Sequence, residues 1–148
     1  MECIVCATRG GEGSRAAQMA AIKRARKESK PLVFLFVIDP DGLGEIDEQL
    51  LYAIRQELNW MGKTLLQVAK SRAEAVGLKA SVEIREGNMQ EQIEIFLREA
   101  HASVLLLGAP RGVTANVFGD DAVERFAQSI QDDTGIEVSI IYPNRETD

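Results

Sequence analysis

Histidine occurs once in the 148 residues, at position 101, and cysteine only twice. A single imidazole excludes a multi-histidine metal site, and any catalytic triad would have to use that one residue. No apolar run approaches the length that spans a bilayer. The start of the chain also lacks the basic stretch and long apolar core of a secretory signal. The expectation is therefore a cytoplasmic protein with no membrane partner. Positive charge is in short supply: 17 Lys and Arg against 23 Asp and Glu leave a net charge of -6. Without a basic face a nucleic-acid partner is not expected, because phosphate contacts need one. Internal repeats, low-complexity segments and linkers are missing too, so a single domain over residues 1–148 is expected.

The two cysteines form a C-x-x-C, Cys3-Ile4-Val5-Cys6. In a helix or tight turn that spacing would suggest redox or metal chemistry. Here it falls in an apolar run that reads as a strand, where positions three apart point to opposite faces, so buried inert thiols are expected. One basic cluster exists, Lys23, Arg24, Arg26, Lys27 and Lys30. It lies where a first helix should end, and cations there complement the helix dipole.

What the chain does contain is an alternation. Apolar runs at Cys3 to Thr8, Leu32 to Ile38, Leu78 to Arg85, Val104 to Leu107 and Ile136 to Tyr142 are separated by stretches with helical spacing. That alternation is the signature of βαβ units around a parallel sheet. The second and fourth runs are apolar throughout, as central strands are. The third alternates Ala80, Val82 and Ile84 with Ser81, Glu83 and Arg85, and so belongs nearer an edge. Ser14 is the expected N-cap of the first helix, and Pro31 stops it. Leu50, Ile54, Leu58, Met61, Leu65, Val68, Arg72 and Val76 give a long second helix whose apolar stripe reads as core, closed by Gly77. Trp60, on that helix, reads as covering the core edge, with a partner surface as the alternative. Asn88 and Glu91 form a capping box for a third helix burying Ile93, Phe96, Leu97 and Ala100, with His101 at its end. A fourth helix from Asp121 to Gln131 should bury Val123, Phe126, Ala127 and Ile130. The loops after the first, second and fourth strands, Arg9 to Ser14, Asp39 to Asp47 and Gly108 to Gly119, would meet at the carboxyl ends of the strands, where such sheets bind ligands.

The stretch Val5-Cys6-Ala7-Thr8-Arg9-Gly10-Gly11-Glu12-Gly13-Ser14 resembles the V-x-x-D-G-S-x-x-S opening of the universal stress protein family. Phe36-Val37-Ile38-Asp39 looks like the end of that family's second strand, and Ile84-Arg85-Glu86-Gly87-Asn88 like its third strand and turn. Leu105-Leu106-Leu107-Gly108 resembles the strand before its glycine loop, and Val138-Ser139-Ile140-Ile141-Tyr142-Pro143 its last strand. The resemblance implies a doubly wound, Rossmann-like three-layer αβα fold with a five-stranded parallel sheet of order 3-2-1-4-5. It also implies a homodimer, in a family where some members bind ATP and others do not. Carried onto this chain, the nucleotide site would comprise Ala7, Thr8, Arg9, Val37, Gly108, Arg111, Gly112, Gly119 and Asp120.

That site is degenerate. ATP-binding members carry G-x2-G-x9-G-[S/T], whose amides and hydroxyl hold phosphates at a helix N-terminus. Here the pattern reads G-x3-G-x6-G-D over Gly108, Gly112, Gly119 and Asp120, and Arg9 stands where binders place an aspartate. The same opening loop is also similar to the S-G-G-x-D-S loop of ATP pyrophosphatases, matching at Gly10, Gly11 and Ser14. The chain's small size and the lack of an acceptor-substrate domain count against an enzyme. The reading is a stress-response binding and signalling module with no catalytic residue, no metal and no tight cofactor, ATP or AMP being the ligands the resemblance implies. The rival is an adenine-nucleotide switch or slow ATPase, with Arg9 and Arg111 replacing lost phosphate contacts and Asp120 helping to hold a divalent ion. The last strand, through Ile136, Val138, Ile140, Ile141 and Tyr142, is the expected dimer contact, and a protein partner would complete the signalling role.

Overall fold

A computed structural model describes residues 2–8, 11–40, 47–109 and 122–142. Strands and helices alternate along the chain: β1 (Cys3–Ala7), α1 (Gly11–Glu28), β2 (Leu32–Ile38), α2 (Glu48–Glu74), β3 (Ala80–Glu86), α3 (Met89–Glu99), β4 (Ala102–Gly108), α4 (Ala122–Thr134) and β5 (Glu137–Ile141). All pairings are parallel, in the order β3-β2-β1-β4-β5. The expected sheet is thus the observed one, with β1 at its centre and β3 at an edge.

Pleating sends alternate side chains of the central strands to two cores. Ile4, Cys6, Phe34, Phe36, Val104 and Leu106 face α1 and α2. Val5, Leu35, Val37, Leu105 and Leu107 face α3 and α4. Cys3 joins the second layer and Cys6 the first, both as free buried thiols. Burial pushes the Cys6 thiol up to about 12 and raises that of Cys3, so neither supplies a thiolate near neutral pH.

Helix ends follow local chemistry. Gly77, at φ 80°, closes α2 with its N–H donating to Glu74 O and the Leu78 N–H to Ala73 O, the paired bonds that a left-handed residue makes available. Asn88 Oδ1 accepts from Glu91 N at 2.9 Å and opens α3. His101 ends it at φ 57°, a left-handed conformation that costs any residue with a Cβ. Since His101 is exposed, His101→Gly should stabilise the fold by about 0.5–1 kcal/mol, read as a rise in the urea midpoint with unchanged slope.

Three expectations are corrected. Helix α1 begins at Gly11, so Ser14 lies inside its first turn, buried, and is not the cap. Gly11 and Gly13 read as loop because glycine is a weak helix former, a prior that tertiary context overrides here. The core stripe of α2 is rotated from the expected one: Gly62, Leu66, Ala69 and Ala73 are buried, whereas Leu50 is 55% and Val68 43% exposed. Small residues let the helix sit close to the sheet, and a pattern read by hydrophobicity overlooks them. Trp60 does not cover the core edge either, being 66% exposed.

The two sheet edges differ. On β3, Arg85 pairs with Glu83 at 2.6 Å and Glu99 at 2.7 Å, and Glu86 with Arg55 at 2.6 Å, charges that blunt an edge. On β5 the one charged residue, Glu137, is held by Arg24 of α1 at 3.0 Å, and Val138, Ser139, Ile140 and Ile141 follow, all half-buried.

Candidate functional site

A cleft of about 280 Å³ opens where β1, β2 and β4 end, between the starts of α3 and α4. Its floor is strand: Ala7 and Thr8 from the end of β1, Leu35 and Val37 from β2, Leu107 from β4. One wall is Met89 and Ile93 of α3, and the other Ala122, Val123 and Phe126 of α4. The position follows from topology. The strand order reverses between β1 and β4, so the crossovers leave on opposite faces and part at this point.

Thr8 carries the one hydroxyl among the described lining residues. It is 1% exposed, and its N–H donates to Leu35 O at 2.7 Å. Gln18 of α1, 3% exposed, donates from Nε2 to Thr8 Oγ1 at 3.5 Å, while its Oε1 accepts from Arg72 of α2. Because guanidinium can only donate, Arg72 fixes which way the carboxamide of Gln18 faces.

The N-terminus of α3, a natural anion site, is already taken. Asp39 Oδ2 accepts from Met89 N at 2.9 Å and Asn88 Oδ1 from Glu91 N. A carboxylate in that place satisfies the amides and the dipole that would otherwise attract phosphate. Farther along the α3–α4 contact, Gln90 Nε2 donates to Glu94 at 2.9 Å and to Ser129 at 2.8 Å. Partial burial and the facing Asp133 carboxylate raise the Glu94 carboxyl above the usual range. This polar clasp holds the two cleft walls together.

Of the residues the sequence reading assigned, Ala7, Thr8 and Val37 line the cleft. Gly108 closes β4 next to Leu107 without lining it. Arg9, Arg111, Gly112, Gly119 and Asp120 lie outside the described residues. The sequence reading missed Leu35, Leu107, Met89, Ile93 and Ala122 as lining, and gave Val123 and Phe126 to the core. Strand period supplies a signal for the first two, since Leu35 and Val37 share a face. The helix residues carry none, because a wall residue and a core residue have the same apolar character. No group of three or more His, Cys, Asp or Glu able to hold a metal occurs among the described residues.

Solved structures share this architecture. A universal stress protein family member from Burkholderia pseudomallei is 23% identical with a TM-score of 0.67, over 93% of this chain and 94% of its own. The universal stress protein UspA of Lactobacillus plantarum, at 15% identity, reaches a TM-score of 0.79 over 95% and 97%. A family member from Arabidopsis thaliana with AMP bound is 15% identical with a TM-score of 0.68, over 97% and 94%. Among curated proteins no sequence matches the chain. The model of the universal stress protein family matches residues 1–140, nearly the whole length, and the chain belongs to that family.

Proposed function

We propose that this chain is a stress-response binding and signalling module without turnover, a single cytoplasmic domain over residues 1–148, whose cleft takes the nucleoside part of an adenine nucleotide and holds its phosphates weakly. The observation that carries the reading is the lining: apolar walls and floor, one buried hydroxyl, and a helix N-terminus whose amides serve Asp39 and Asn88. Such a surface gains from burying a flat base and offers an anion little. The Arabidopsis relative holds AMP, which supports the ligand class. On the sequence pattern, Ala7, Thr8 and Val37 would face the nucleoside, and Arg9, Gly108, Arg111, Gly112, Gly119 and Asp120 the phosphates. Calorimetry on nucleotide-stripped protein should show AMP bound at least as tightly as ATP, and no hydrolysis above background with magnesium or manganese. Submicromolar ATP binding, or turnover, would make the chain a nucleotide switch or slow ATPase instead.

The module is proposed to work as a homodimer through β5, involving Ile136, Val138, Ile140, Ile141 and Tyr142. The support is the contrast between edges: β3 is blunted by charge, whereas β5 carries an apolar run at its edge, with the Val138 N–H held by Gln131 Oε1 at 3.1 Å. Ile141→Lys should weaken association at least tenfold in sedimentation velocity, with far-UV circular dichroism unchanged. A monomeric wild type at micromolar concentration would remove the basis for this interface.

A further inference from the structure

Helix α2 carries more apolar surface than its core contacts use. Its packing face is made by Leu58, Leu65, Leu66 and Ala69 with Gly62 and Ala73. Trp60 at 66%, Val68 at 43% and Met61 at 38% exposure point elsewhere. Beside them runs a shallow groove of about 750 Å³, floored by the short side chains of Thr64, Val68 and Ser71 and flanked by Trp60, Lys63 and Arg72. From Trp60 to Ala75 it extends about 22 Å at 1.5 Å per residue. Its charged lining is cationic throughout: the nearest carboxylates of the same helix, Glu57 and Glu74, are not part of it. Lys63 forms no ion pair among the described residues, and Arg72 bonds only the neutral Gln18. Where α2 turns into β3 a second depression carries Arg26 and Lys79, with Lys30 paired to Glu2 and Glu28 at 3.3 Å.

In a chain of net charge -6, a groove with an exposed indole whose charged lining residues are both cations stands out from its surroundings. We propose that this face of α2 docks an acidic amphipathic helical segment of a partner protein, with apolar residues seated on Trp60 and Val68 and carboxylates on Lys63 and Arg72. Each part of the surface has a role in that contact. Tryptophan and arginine are the side chains that most often carry interface energy, and opposite charge steers and orients the partner. Apolar residues spaced three and four apart can follow the groove along one helix face. The bond to Gln18 holds the Arg72 guanidinium in place beforehand, so docking loses less side-chain entropy there. The surface lies on the α1–α2 layer, away from the nucleotide cleft, and the inference stands whether or not that cleft binds a nucleotide.

Trp60 is the only tryptophan, so its emission reports on the groove directly. The probe is a helical peptide of about 16 residues, enough to span it, with leucines every third or fourth position and glutamates between. Titration into the full chain should shift Trp60 emission to the blue and saturate at micromolar peptide. Lys63→Glu should weaken this at least tenfold, Lys63→Gln by less, and Arg125→Glu on the opposite layer should leave it unchanged. Raising the salt to 0.5 M should weaken it severalfold. Lys63 is exposed, and circular dichroism checks that each variant folds. An equal shift with the lysine version of the peptide, or an unaltered affinity in Lys63→Glu, overturns the proposal. So does a shift with anionic phosphatidylserine vesicles but none with peptide, which would assign the face to membranes. A shift that grows with protein concentration alone would assign it to a second copy and overturn it equally.

Discussion

Gly62→Ala is expected to destabilise the protein by about 1–2 kcal/mol, although alanine is the better helix former by about 1 kcal/mol. A Cβ on Gly62 would lie 2.5 and 2.7 Å from ring carbons of Phe36, well inside van der Waals contact. Phe36 is a core residue of the central strand β2, 6% exposed, so its ring has no free volume to swing into. Either α2 lifts from the sheet or the ring leaves its rotamer. Overpacking of this kind costs about 1–3 kcal/mol, which outweighs the gain in propensity. The sign should reverse when the ring is removed: in a Phe36→Leu background, Gly62→Ala should stabilise by a few tenths of a kcal/mol, because the clash is gone and only the propensity remains. Urea denaturation of the four proteins forms a double-mutant cycle. Additivity between the two sites would show that close approach is not what Gly62 is for.

The same helix shows how far the sequence could be read. Its existence, length and closing glycine followed from periodicity and from Gly77, because these depend on local spacing. Its rotation did not, since the residues that touch the sheet, Gly62, Ala69 and Ala73, are the least conspicuous on the helix, while Leu50, Met61 and Val68 carry the hydrophobicity that a pattern counts. Continuous apolar runs mark β2 and β4 as inner strands, and Glu83 and Arg85 put β3 nearer an edge, whereas the full order 3-2-1-4-5 was implied by the family resemblance. Topology pointed to the loops at the carboxyl ends of the strands, and the family resemblance singled out Ala7, Thr8 and Val37, which line the cleft. Its helical walls were not legible, because Ile93 and Phe126 have the same apolar character whether they face the core or a cavity. Nor did the sequence point to the bond from Asp39 to Met89 N, made between residues 50 positions apart.

That bond gives the last expectation its footing. Asp120→Ser should tighten ATP binding, and by more than it tightens AMP binding. Asp120 follows Gly119 where family members that bind ATP carry a hydroxyl, and a carboxylate at that place in the pattern would take helix N–H groups that a phosphate would use. It would also repel the phosphate, by about 1 to 4 kcal/mol for unit charges about 4 Å apart at effective dielectric constants of about 80 to 20, or roughly 5- to 1000-fold in affinity. ATP presents more negative charge than AMP, hence the larger gain. Arg9 and Arg111, in the phosphate role proposed for them, would act in the opposite direction, and a divalent ion bridging Asp120 to phosphate would offset the repulsion, so the comparison is made without metal. Asp39→Asn is the internal reference. The amide keeps an acceptor for Met89 N, so it removes the charge without freeing a helix N–H, and its gain should be smaller than that of Asp120→Ser. Calorimetry with ATP and AMP on the wild type and both variants should therefore rank ATP affinity as Asp120→Ser, then Asp39→Asn, then wild type. Tighter metal-free ATP binding by the wild type than by Asp120→Ser would mean that Asp120 belongs to a working phosphate site and that the module is a nucleotide switch.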